Sequence, residues 1–137
     1  MPSIQLATDA AEARKAIAAG LDAFNARHFP EMHPETFALT LSEGGAVVGG
    51  VAAEVMSGWM LISLLWVDER FRKQGFGAKL LTEAEAEGGR RGVQGVLVDS
   101  FSFQAPGFYE HYGYVVYGQV DGFPAAGMTW VRLRKTL

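Results

Sequence analysis

The chain has 137 residues, of which 49% are hydrophobic and 20% charged, with a formal charge of −3 and no cysteine. That length holds one domain with a real core and is short for two, and the balance is that of a globular chain, not a disordered one. The weak negative charge offers no basic field to a nucleic acid, and the lack of cysteine excludes a disulfide framework, a thiolate zinc site and a cysteine nucleophile.

Residues 1–5 show no basic segment followed by an apolar one, so no signal peptide is expected, and no apolar run is long enough to span a membrane. The expectation is a cytoplasmic chain without a membrane partner. Residues 3–7 alternate Ile4 and Leu6 with polar neighbours, which predicts a short strand. Asp9 and Glu12 are spaced as a capping box. Ala13, Ile17, Leu21 and Phe24 then form one apolar stripe of a helix, weakened at its middle by Gly20. Pro30 and Pro34 bracket a loop, with His28 and His33 around it. Two histidines five apart across a proline, with no third ligand, read as loop histidines, and no metal is expected.

Residues 37–41, 46–56 and 59–67 read as three strands of a meander, with turns at Gly44-Gly45 and Ser57-Gly58 and a bulge or bend at Gly49-Gly50. Glu54 is an acid inside an apolar strand; it either points to solvent or faces a substrate. Next comes Arg72-Lys73-Gln74-Gly75-Phe76-Gly77-Ala78, with the apolar run 59–67 before it and a helical run, 76–87, after it. Strand, glycine-rich turn and helix aim unpaired N–H groups and a positive helix end at an anion. The glycines let a ligand approach the backbone, and Arg70, Arg72, Lys73 and Lys79 add cations. The stretch reads as a cradle for a phosphate or pyrophosphate. It is not a P-loop, and Leu80 stands where a dinucleotide fingerprint needs its third glycine.

Phe76, Leu80, Leu81 and Ala84 define one face of the helix, which Gly88-Gly89 and Gly92 are expected to stop. With a buried-type strand at 93–99, the unit is strand, crossover helix, strand, which implies parallel pairing. Pro106 opens a short helix ending near Tyr112, and strands at 114–120 and 129–133 close the chain as an antiparallel hairpin. The order is β-α-β-β-β-α-β-α-β-β, a mixed α/β sheet in a single domain, residues 1–137.

Two stretches carry a resemblance. Arg72-x-x-Gly75-x-Gly77 resembles the R/Q-x-x-G-x-G/A signature of the GNAT family of N-acetyltransferases. Ala105-x-x-x-Tyr109-Glu110-x-x-Gly113-Tyr114 is similar to that family's A-x-x-x-Y-E-x-x-G-F/Y segment. The resemblance implies the GNAT-like acyl-CoA N-acyltransferase fold and acetyl-CoA as co-substrate. It implies that Arg72, Lys73, Gln74, Gly75, Phe76, Gly77 and Ala78 hold the pyrophosphate, and that backbone donors at Trp66, Val67 and Asp68 hold the thioester and pantetheine. Ser102 stands where many members have an asparagine that contacts coenzyme A.

The implied activity is N-acetyl transfer to a small molecule or protein by direct attack in a ternary complex. An amine with a pKa of about 10.4 must lose its proton before attacking, and the departing thiolate needs a proton source. Tyr109 matches the family tyrosine that supplies this proton; its other reading is an aromatic core residue. Tyr112 and Tyr114 read as packing residues and His111 as solvated. Some members carry a glutamate on the strand before the cradle; here residues 61–65 have no carboxylate, which leaves Glu54, Asp99 or a water relay as the base. Two other readings stand beside the enzyme. One is a catalytically weak module of the same fold that senses acetyl-CoA or docks a partner. The other is a phosphate binder unrelated to acyl transfer. Trp59, Met60, Phe101, Phe103, Phe123 and Trp130 stay open between core, homodimer contact and acceptor pocket.

Overall fold

The computed structural model describes residues 1–29 and 33–137, and these fall into two compact units, Met1–His33 and Pro34–Leu137. In the first unit, α1 (Ala10–Ala26) starts at Asp9, whose Oδ1 accepts from the N–H groups of Ala11 and Glu12, both at 3.1 Å. The reciprocal half of the capping box is not made, because the Glu12 carboxylate accepts from Lys15 Nζ at 3.0 Å. The helix runs unbroken through Gly20 and buries none of its residues; Ile17 is 70% exposed. The strand expected at residues 3–7 does not form. Alternation marks a strand only where a neighbouring strand accepts its backbone hydrogen bonds, and Ile4 and Leu6 are fully exposed. Pro30 lies outside the described residues.

The second unit holds β1 (Glu35–Glu43), β2 (Ala46–Met56), β3 (Trp59–Val67), α2 (Phe76–Arg90), β4 (Gly95–Phe101), α3 (Pro106–His111), β5 (Val115–Asp121) and β6 (Thr129–Thr136). From α1 onward the element order is the one the sequence implied. The strands form one sheet in the order β1-β2-β3-β4-β6-β5. β3 and β4 pair in parallel, joined by α2, and every other pair is antiparallel.

One face of this sheet is the core. Val51, Ala53 and Val55 of β2, Met60 and Ile62 of β3, Val96 and Val98 of β4 and Leu133 of β6 cluster with Leu80, Leu81 and Ala84 of α2 and Tyr109 of α3. The residues between them on each strand, Glu54, Leu61 and Asp99 among them, take the opposite, open face, as the pleat requires. α2 does not stop at Gly88-Gly89 but continues to Arg90. A Cβ at Gly88 would meet Val93 and Met60, so glycine there serves close packing, and the chain turns at Gly92, φ 82°. The irregularity expected at Gly49-Gly50 falls beside them, where β1–β2 pairing skips Val48.

The β2–β3 ladder contains a bulge that no residue type announces. Ala52 faces Leu64 and Ala53 faces Ile62, so Ser63 is the extra residue. One extra residue inverts the side-chain phase of everything after it. Leu65 and Val67 therefore pack on the core, while Leu64 and Trp66 stand exposed on the open face.

Gly95 shows how tightly β3 and β4 meet where they do pair. It is in register with Trp59, and an added Cβ would run into the Trp59 ring. Gly95→Ala is expected to lose about 1–3 kcal/mol of stability through overpacking. A denaturant midpoint equal to that of the parent would show that the ring can move aside at no cost.

Candidate active site

β3 and β4 pair only as far as Ile62 and Val98, yet both continue, to Val67 and Phe101. The split opens a cavity of about 800 Å³ lined by both strands, the turn before α2, the first turn of α2, and α3. Backbone alternation decides which β3 donors face it. The Asp68 N–H donates to Val48 O at 2.7 Å. In an antiparallel ladder the N–H groups point to the partner at every second residue. Trp66 therefore also points to β2, and the N–H groups of Leu65 and Val67 point to the split. Of the three donors expected from the sequence, Asp68 is taken and Trp66 is turned away; Val67 remains, joined by Leu65.

The turn after β3 is stapled from within. Asp68 Oδ1 accepts from the Arg70 N–H and from Arg70 Nε, both at 2.9 Å. Hydrogen bonding by the Arg70 side chain, then its backbone N–H, holds the Asp68 carboxyl below the usual carboxylate range. Arg72 Nε donates to Val67 O at 2.9 Å, tying the turn to the end of β3. Gly75 then caps α2 in the left-handed region at φ 83°, a conformation that disfavours a side chain. No side chain caps α2. The N–H groups of Phe76, Gly77 and Ala78 thus open the helix without a side-chain acceptor, at the positive end of its dipole. Arg72, Lys73, Gly75, Phe76, Gly77 and Ala78 all line the cavity.

Tyr109 forms part of the opposite wall. Pro106 starts α3, which buries Tyr109 to 8% exposure. Its ring meets Phe108 and Tyr114 edge-on, with centroids 5.2 and 5.6 Å apart. Burial pushes its phenol up to about 12. Gly77 faces α3, and a Cβ there would lie in ordinary contact, 3.6 Å from the Phe108 ring.

Several expected site residues are not brought here. Gln74 Nε2 donates to Arg70 O at 3.3 Å, and Gln74 does not line the cavity. Ser102 ties β4 to β6 instead: its Oγ accepts from the Thr129 N–H at 3.0 Å and its own N–H donates to Thr129 O at 2.8 Å. Glu54 is exposed on the open face, beside Leu61 in register, and is not a lining residue. Asp99, the other carboxylate named from the sequence, does line the cavity, and its Oδ1 accepts from Arg132 Nε at 3.2 Å. Sequence reading missed Leu65, Gln104 and Phe108 in the walls. Only the bulge at Ser63 and the folding of the loop after β4 bring them in, and neither leaves a local signal. Among the described residues, no group of three or more His, Asp or Glu side chains is placed to hold a metal ion.

Comparisons with known proteins agree with this fold. A family model described as an acetyltransferase (GNAT) domain matches residues 7–137. The chain is 34% identical over 126 residues to the acetyltransferase Atu2258 of Agrobacterium fabrum, covering 90% of this chain and 92% of that protein. It is 37% identical over 83 residues to the blasticidin-S acetyltransferase of Streptomyces morookaense, covering 60% of this chain and 61% of that one. Among solved structures, an acetyltransferase from Bacillus cereus superposes with a TM-score of 0.89 at 31% identity, over 99% of this chain and 98% of the other.

Proposed function

The chain belongs to the GNAT acetyltransferase family and is an acyltransferase, and from that premise we propose that it transfers the acetyl group of acetyl-CoA to an amino group by direct attack in a ternary complex. The observation that carries the reading is the split itself. One gap in the sheet joins an uncapped helix N-terminus, outward-facing β3 amides and a buried tyrosine. The absence of cysteine supports direct attack, since the chain has no thiol to carry the acetyl group.

In this reading, the first-turn N–H groups of α2, with Arg72 and Lys73, hold the pyrophosphate. The Val67 and Leu65 N–H groups donate to the pantetheine and to the thioester oxygen as it gains negative charge. Tyr109 gives its proton to the leaving sulfur. The cradle and Tyr109 belong to the core side of the sheet, and Asp99 to the open side. An amine entering from the open face meets Asp99 at the split, and Asp99 takes its proton. Glu54, outside the cavity, takes no part. Residues 1–137 act as one domain, a view supported by a family match that begins before α1. The name of the Streptomyces relative puts blasticidin-S first among the acceptors to try.

The test is acetyl-CoA turnover against a panel of amines, reading released thiol and the acetylated product by mass spectrometry. Transfer to at least one amine is expected. Tight acetyl-CoA binding with no transfer to any would favour a sensing module. A pH expectation follows from the burial of Tyr109. A phenol raised to about 12 stays protonated through the whole assay range, so the acid form is fully present at pH 7 and at pH 10. The rate should therefore rise with pH as the amine deprotonates, without a tyrosine-dependent fall near pH 10. A fall there that disappears in Tyr109→Phe would contradict the burial argument.

A further inference from the structure

We infer that the acceptor is an amine borne on a flat aromatic ring, which stacks on Phe103 at the open-face mouth of the split; the inference rests on the acetyl-transfer reading above. Phe103 lines the cavity yet is 60% exposed. Its ring lies parallel to Phe101, with planes 6° apart and centroids 5.5 Å apart. One face is thus occupied and the other is offered to whatever enters. The ring is braced behind: Phe101 meets Phe123 at 5.8 Å, and Phe123 meets Trp130 at 5.9 Å. A ring fixed in this way loses little side-chain freedom on binding.

Charge separates this wall from the cradle. The lining cations, Arg72 and Lys73, both lie on the turn before α2. The wall that carries Phe103 presents the Asp99 carboxylate. The neighbouring cation, Arg132, is engaged by Asp99 at 3.2 Å and lies over the Trp130 ring at 4.8 Å. Because Asp99 and Arg132 offset each other, this wall is close to neutral, unlike the cationic cradle. Among the described residues it gives a second phosphate no free cation, while leaving carboxylate lone pairs to accept from an amine. Aromatic faces carry negative charge and prefer a flat or cationic partner. An amine on a flat ring satisfies both features together, with its ring on Phe103 and its nitrogen toward Asp99.

The experiment compares 2-phenylethylamine with 2-cyclohexylethylamine, which match in charge and reach and differ in the π face. Transfer is read as kcat/KM, and binding by calorimetry on coenzyme A-saturated protein. The parent protein is expected to favour the phenyl compound by about fivefold, the size of one stacking contact. Phe103→Leu should erase that preference by raising the phenyl KM about fivefold, with the cyclohexyl KM, the acetyl-CoA Kd and the melting temperature unchanged. Equal transfer and binding of the two amines by the parent would overturn the inference while leaving acetyl transfer intact. So would binding of neither, or a Phe103→Leu variant that weakens acetyl-CoA instead of the amine, since Phe103 would then serve the coenzyme. A parent protein that fails to bind acetyl-CoA at all would sink the acetyl-transfer reading itself.

Discussion

Gly77→Asp is expected to abolish measurable acetyl-CoA binding and to leave the fold intact. Gly77 sits in the first turn of α2, lines the split, and contributes an N–H to the uncapped helix end. A Cβ there meets only ordinary contact, 3.6 Å from the Phe108 ring. A carboxylate in the first turn of a helix is favourable for the helix itself, because it faces the positive end of the dipole. The penalty therefore falls on the ligand. Two like charges about 4 Å apart at an effective dielectric of about 20 repel by about 4 kcal/mol, roughly a thousandfold in Kd. Gly77→Ala supplies the control: it adds the same Cβ without the charge and should bind nearly as the parent does. Calorimetry with circular dichroism reads both. Unchanged affinity in Gly77→Asp would remove the anion from the helix end.

Tyr109→Phe should lower kcat by ~10²–10⁴-fold, the usual worth of a general acid, with the acetyl-CoA Kd nearly unchanged. The substitution keeps the ring that packs against Phe108 and Tyr114 and deletes only the hydroxyl. A structural role predicts the opposite division, with stability lost and kcat kept. If kcat stays within about twofold, less than ~0.5 kcal/mol of barrier, Tyr109 is a packing residue, and Tyr112, which also lines the split, becomes the next candidate.

The strand–turn–helix at residues 59–90 was legible because its signal is local. An apolar run, two spaced glycines and an amphipathic run occur in one continuous stretch, and each constrains the next. The parallel β3–α2–β4 unit was legible for the same reason, since a crossover helix between two apolar strands leaves little other choice. What failed depended on partners. The alternating Ile4 and Leu6 had the pattern of a strand but no strand to pair with. Gly88-Gly89 looked like a helix stop, yet the helix runs through both, and Gly88 packs closely against Met60 and Val93. The expected donors lie on or beside β3, and the bulge at Ser63 and the bond from Asp68 to Val48 decide which amides face the split. Glu54 was singled out by its polarity within an apolar strand; polarity reveals the open face, not the distance to the gap. Asp99 lines the gap because β4 parts from β3 just before it.

The central claim, that acetyl-CoA lies in the split between β3 and β4, is tested most directly by titrating isotope-labelled protein with acetyl-CoA and following its backbone amide resonances. The expected result is large shifts at Leu65, Val67 and Gly75 to Ala78, together with Tyr109, and near silence at Glu54 and along β1. Shifts confined to β1 or β5, with the amides of Val67, Gly77 and Ala78 unmoved at saturation, would contradict it.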